Sequence, residues 1–295
     1  MSELSEFASS PQDTKVYGSV GDVPVGTAGL VEGQYVWKGE DSSRVFIFFC
    51  GAVNTKLIPM SPIFQRWKWV HKFSHSVVIA HDPLIQNTGS LQLAWYTGKQ
   101  DGPGFDDIIA VPLRLARALS SGEICAFGSS GGGFAALMAA MHNHVDSALV
   151  INPQTNILRY SPQLRDKYLR TYLQSSKGLN QTDHERLSII GALWRYYDNC
   201  RTHVVINTQD NAHFNGHVVP FYRVSQQQNL QSLTFSCYDD AKNGHNPPSE
   251  ANSLWLVQKW WPQSITSEYR GAIQGLRSLR KLERSDIMKN QPRKT

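Results

Sequence analysis

The chain has 295 residues, of which 41% are hydrophobic and 11% aromatic, enough apolar surface for one large folded domain and too much for an intrinsically disordered chain. Its net charge of +5 is unevenly spread: residues 270–295 carry eight Lys or Arg side chains against Glu283 and Asp286, which leaves the body before them close to neutral. A broad basic face for nucleic acid is therefore not expected, and only the basic C-terminal tail is expected to touch an acidic partner.

The opening segment MSELSEFASSPQDTK has no apolar core of signal-peptide length, and no later run approaches the roughly 18 apolar residues of a membrane span. Cys50, Cys125 and Cys237 lie at or inside apolar runs and Cys200 stands alone beside Arg201, without C-x-x-C or metal-ligand spacing. These features lead us to expect a soluble cytoplasmic protein with reduced thiols.

In chain order, short β-rich apolar runs alternate with helical patterns, as in a parallel sheet with crossover helices. Strands are predicted over 44–50, 76–80, 123–127, 147–151, 203–207 and 232–237, and helices over 107–119, 132–142 and 250–261. The fold class that follows is α/β, a mainly parallel central sheet sandwiched by helices. The interval between the fourth and fifth of these strands is too long for a simple crossover. In it Leu164, Tyr168 and Tyr172 share one helical face and Leu187, Ile190, Leu193 and Tyr197 another, predicting a two-helix lid inserted at about 153–201 over the carboxyl ends of the strands. One domain over 1–269 and a basic tail over 270–295 complete the expected organisation.

The stretch EICAFGSSGGGFAALMAA joins a buried strand to a glycine-rich turn and an Ala-rich helix. Gly128, Ser129, Ser130, Gly131 and Gly132 fit G-x-S-x-G in the strand-turn-helix context that the motif demands, which makes Ser130 the candidate nucleophile. Flanking glycines give room for a tight turn, and the Gly131 amide at the helix start is placed to donate to an oxyanion. A plain Gly-Ser loop is the bland alternative. Phosphate binding by the run Gly131, Gly133 and Ala136 is the other, but it predicts an acidic residue at the end of the next strand, where this chain has Asn152 and Pro153.

A serine hydroxyl needs a base within hydrogen-bond reach and an acid to hold that base. Asp210 follows the strand over 203–207, and His245 lies in a Gly-Asn-Pro loop after the strand over 232–237, in the order acid then histidine. Asp239 and Asp240 are alternative acids, less favoured because they share the loop of His245. His213 and His217 have metal-pair spacing, but Gly216 between them argues against a helix there, so they are expected as satisfied surface histidines. Ser129 is expected to be structural, and the aromatics Phe64, Trp67, Trp69, Trp95 and Tyr96 to be core.

With these residues in place, the region from Arg44 to Trp261 resembles the α/β-hydrolase superfamily, with weaker similarity to serine-hydrolase-like proteins of bacterial surface-glycan and accessory-secretion systems. The resemblance implies a doubly covered, mainly parallel sheet, acyl-enzyme chemistry, and a second oxyanion donor from the loop after the early strand, here Gly51 or Ala52 in FFCGAVN. It implies a serine esterase, with an O-acyl group on a glycan among its possible substrates, or an O-acetyltransferase with the same triad, and in neither case a cofactor or metal. A non-catalytic binding or assembly protein on the same scaffold is the remaining alternative.

Overall fold

A computed structural model describes residues 14–54, 62–88, 91–173, 178–196 and 200–289. Ten strands form one sheet: β1 (Val16–Tyr17), β2 (Thr27–Val31), β3 (Gln34–Lys38), β4 (Asp41–Phe49), β5 (His75–Ala80), β6 (Glu123–Ser129), β7 (Ser147–Ile151), β8 (Arg201–Asn207), β9 (Leu233–Tyr238) and β10 (Arg280–Lys281). They are ordered β1-β2-β3-β5-β4-β6-β7-β8-β9-β10. The run from β5 to β9 is parallel throughout, and its six strands are those predicted from the apolar runs. The sheet is mixed at its margins, where β2, β3 and β10 pair antiparallel with their neighbours.

The central strands are hydrophobic on both faces because each face feeds a separate core. In β4, Val45, Ile47 and Phe49 enter one buried cluster while Phe46 and Phe48 enter the other, the period of two that a pleated strand imposes. The first cluster lies under the helices Phe105–Leu119, Ser130–Met141 and Val219–Gln227, the second under Glu250–Trp260 and the short helix Trp67–Lys72. Every residue of Ser130–Met141 after Ser130 is buried, which its run of Gly, Ala, Leu and Met permits.

The insertion between β7 and β8 is helical as expected, and its described residues contain three short α-helices, Pro162–Tyr172, Gln181–Arg186 and Ile189–Tyr196. Tyr168, Tyr172, Leu187, Ile189 and Ala192 are fully buried in the same cluster as the sheet. Tyr197, expected on its second helical face, lies outside the described residues. The expected tail is a larger departure. Arg280 and Lys281 pair with Cys237 and Ser236, Leu282 and Ile287 are buried, and Arg280 is ion-paired to Asp286 at 2.6 Å. Periodicity could not show this, since a two-residue edge strand carries no repeat and its basic side chains are typical of a protected sheet edge. All four cysteines are buried and stand outside any disulfide among the described residues. Among the described residues no helix is long and apolar enough to cross a membrane.

Candidate active site

β6 ends in extended backbone at Ser129 and the chain turns at Ser130, whose φ of 54° is unusual for a residue with a side chain. The turn is held by contacts that admit no Cβ: one at Gly128 would lie 2.2 Å from the Gly132 carbonyl oxygen, and one at Gly132 would lie 2.2 Å from that of Phe49. The helix that follows therefore starts against the sheet, with Ser130 half-exposed at its first position.

There the hydroxyl meets the two residues expected from the sequence. Ser130 Oγ is 2.8 Å from His245 Nε2, and His245 Nδ1 is 2.8 Å from Asp210 Oδ2. An ionised carboxylate only accepts, so His245 Nδ1 carries the proton and Nε2 is left to accept from Ser130. Burial alone would raise the Asp210 carboxyl, but hydrogen bonds from His213 and His245 outweigh it and hold the pKa well below the usual carboxylate range.

Two asparagines fix the loop that carries His245. Asn152, in left-handed backbone after β7, donates through Nδ2 to the His245 carbonyl at 3.3 Å and accepts the Asn207 amide at 2.8 Å. Asn207 in turn donates through Nδ2 to the carbonyls of Asp240 and Gly244 at 2.7 and 2.8 Å. The acidic neighbours of His245 are engaged elsewhere: Asp239 accepts from the Thr208 hydroxyl, and Asp240 accepts the amides of Lys242 and Asn243 at 3.1 Å.

Gln154 is a second partner of the nucleophile that the sequence did not disclose. Its Nε2 donates to Ser130 Oγ at 3.1 Å, and its Oε1 accepts from Trp95 Nε1, which identifies the amide orientation. Trp95 and Tyr96 are core as expected, yet Trp95 reaches the site through Gln154.

At the oxyanion side, the Gly131 amide lies in the first helical turn, where intrahelical acceptors are missing. The Gly51 amide is not available. It donates to Gln65 Oε1 at 2.8 Å, so Gly51 is withdrawn as second donor. Ala52 is exposed, and among the described residues its amide donates to no protein acceptor. Gln65 Nε2 holds the Ala52 carbonyl at 2.8 Å, fixing the orientation of this loop.

The expectation for His213 and His217 is also corrected. Both are buried, in helical backbone that runs from Asn211–His213 through a π-turn at Phe214–Val218. A π-turn absorbs Gly216 without ending the helix, and tertiary burial against Tyr160 and Thr155 overrides the local propensity. His213 Nδ1 lies 3.1 Å from Asp210 Oδ1 and its ring stacks on that of His245. Apart from this group, Asp106, His142 and His144 bring ligand-capable atoms within 4.8 Å of one another, and there both imidazoles bond Asp106 Oδ1 at 2.8 and 2.7 Å.

No protein-family profile and no curated protein sequence matches this chain. Solved structures do resemble it. The capsule O-acetyltransferase of Neisseria meningitidis serogroup A aligns over 79% of this chain and 91% of its own, with a TM-score of 0.55 and 11% identity. The fluorophosphonate-binding serine hydrolase F of Staphylococcus aureus aligns over 77% and 91%, with a TM-score of 0.52 and 11% identity. S-formylglutathione hydrolase from Staphylococcus aureus aligns over 77% and 91%, with a TM-score of 0.51 and 11% identity. The chain adopts the α/β-hydrolase fold that these proteins share.

Proposed function

We propose that this protein is a serine esterase or acyltransferase in which Ser130 is the nucleophile, His245 the general base and Asp210 the acid that orients the base. The observation that carries the reading is the continuous relay from Ser130 Oγ through His245 to Asp210, two contacts of 2.8 Å each across residues far apart in sequence. His245 takes the hydroxyl proton as Ser130 attacks an ester carbonyl, and the amides of Gly131 and Ala52 receive the developing negative charge. Asp210 keeps the imidazole in the required tautomer and stabilises the imidazolium. Gln154 donates to Oγ on one side while Oγ gives its own proton to His245 on the other, which aims the hydroxyl.

Collapse of the tetrahedral species breaks the ester bond, and His245 protonates the leaving alcohol. Water then regenerates the serine in a hydrolase, and an acceptor hydroxyl does so in a transferase. The likeness to the meningococcal capsule O-acetyltransferase favours an O-acyl group on a glycan as donor or product, while the two staphylococcal likenesses favour hydrolysis of small esters. The non-catalytic alternative would be favoured by Ser130 and His245 standing out of reach of each other, and their 2.8 Å separation supports the enzyme instead.

Labelling with a fluorophosphonate probe tests this reading. Wild type is expected to label and Ser130→Ala not to label, with His245→Ala slowed by about four orders of magnitude or more. Equal labelling of wild type and Ser130→Ala would overturn it.

A further inference from the structure

Among the described residues Arg66 is a buried cation without a counter-charge, bonded to Ser129, the residue before the nucleophile. It is only 5% exposed. Its Nη2 donates to Ser129 Oγ, its buried Nε has no partner, and among the described residues Nη1 makes no hydrogen bond either. Five N–H donors thus have one acceptor, a neutral hydroxyl. The guanidinium lies over the rings of Trp69 and Phe127, 5.4 and 5.5 Å from their centroids. Ring faces and hydroxyls soften the burial of an ion but do not neutralise it, which takes an opposite charge. The nearby ionisable groups do not provide one: burial raises the pKa of both Cys50 and Tyr96 and so keeps them neutral. Asp82 holds the amides of Tyr96 and Leu84 and is not among the groups whose charge acts on Arg66.

The place of this charge in the fold gives it a use. Ser129 immediately precedes Ser130, and the residue before Arg66, Gln65, clamps the Gly51–Ala52 loop. The Gln65–Arg66 pair therefore ties the elbow to the oxyanion loop and sets an uncompensated guanidinium against Ser129, the residue before the nucleophile. We propose that Arg66 is an anion-binding position beside the nucleophile, taking a carboxylate or phosphate group carried by the substrate on its acyl or its leaving side. A planar guanidinium matches either oxyanion with paired hydrogen bonds. The acyl and leaving-side assignments rest on the proposed acyl transfer; the anion site itself does not.

Two measurements separate these parts. Thermal unfolding is followed in chloride and in inorganic phosphate at equal ionic strength, for wild type, Arg66→Met, Arg66→Lys and Ser130→Ala. Phosphate stabilises most proteins by exclusion, so the readout is the difference between variants. Wild type and Ser130→Ala are expected to gain several degrees more in phosphate than Arg66→Met, with Arg66→Lys between them. An equal gain in wild type and Arg66→Met overturns the site, whatever becomes of Ser130. If the Arg66 variants do not fold, slowing of fluorophosphonate labelling of wild type by phosphate replaces this measurement, and no slowing overturns the site.

The second measurement compares turnover of p-nitrophenyl acetate, p-nitrophenyl hemisuccinate and acetyl phosphate. A preference for hemisuccinate over acetate that falls about tenfold in Arg66→Met places the anion on the acyl side, and the same fall for acetyl phosphate places it on the leaving side. No change in either preference overturns the substrate role.

Discussion

His213 lies face to face with His245, ring centroids 3.6 Å apart and planes 15° from parallel, and both imidazoles bond the carboxylate of Asp210. Burial lowers the pKa of His213, so the carboxylate divides its acceptor capacity between an imidazole that resists protonation and the one that must become cationic. Around them stand His217, Tyr160, Arg159, Tyr238 and Asp240, of which His217 and Tyr160 are also held neutral by burial.

Replacing His213 by Phe keeps a ring against His245 but removes the competing donor. Asp210 then serves His245 alone and holds its imidazolium more strongly, and kcat/KM for an ester is expected to rise by roughly three- to tenfold. Unchanged turnover would mean that the stacked ring has only a packing role.

Gln154 allows a similar separation of roles. Gln154→Ala removes the donor to Ser130 Oγ and also leaves Trp95 Nε1 without an acceptor in a buried position. The second loss costs about 1–3 kcal/mol of stability, and the first is expected to lower kcat/KM by roughly 10-fold. Gln154→Glu keeps the acceptor for Trp95 but places a carboxylate at the hydroxyl, so stability is expected to recover better than activity. Paired denaturant unfolding and ester turnover measure the two effects separately.

The parts of this structure that were legible in the sequence are those where one local rule decides. The inner parallel strands are apolar on both faces, and Ser130, Asp210 and His245 follow strand ends in an order the motif specifies. Gln154 and Asn152 carry no comparable signal, because their roles arise from Trp95, Asn207 and the His245 loop, which meet them only in the folded chain. The strands β2 and β3, TAGLV and QYVWK, are short and only partly apolar, and they are fixed by pairing, β3 on the β5 edge and β2 on β3. His213 and His217 were misread because Gly216 was weighed as a helix breaker, when the surrounding core accommodates it in a π-turn.

His217 makes stability depend on acidity. Burial depresses its pKa to about 3, from an ordinary value near 6.5, and its ring nitrogen accepts the Thr155 amide. The unfolded chain binds a proton there below about pH 6.5 and the folded chain does not, so the stabilisation present above that pH is lost as the pH falls toward 3. The expected slope is about 1.4 kcal/mol per pH unit from this one group. In His217→Gln the decline of Tm between pH 6.5 and 4 should be shallower than in wild type, even if the variant is less stable at neutral pH. A parallel decline would assign acid sensitivity to other groups.

The C-terminal stretch offers a test in which sequence and structure point in opposite directions. Read as a basic tail, residues from Arg270 onward are dispensable and their deletion leaves ester hydrolysis intact. In the structure they close the sheet: β10 covers the outer edge of β9, Leu282 and Ile287 are buried, and the Leu282 amide donates to the Phe235 carbonyl at 3.1 Å. β9 also leads directly into the loop of His245. Deletion from Arg270 is therefore expected to expose an unpaired strand edge, lower Tm and promote aggregation, with turnover falling as the loop loses its support. Leu282→Ala removes one buried side chain without uncovering the edge and is expected to cost about 2–5 kcal/mol while activity at low temperature persists. A truncated protein with wild-type Tm and turnover would return this segment to the status of a tail.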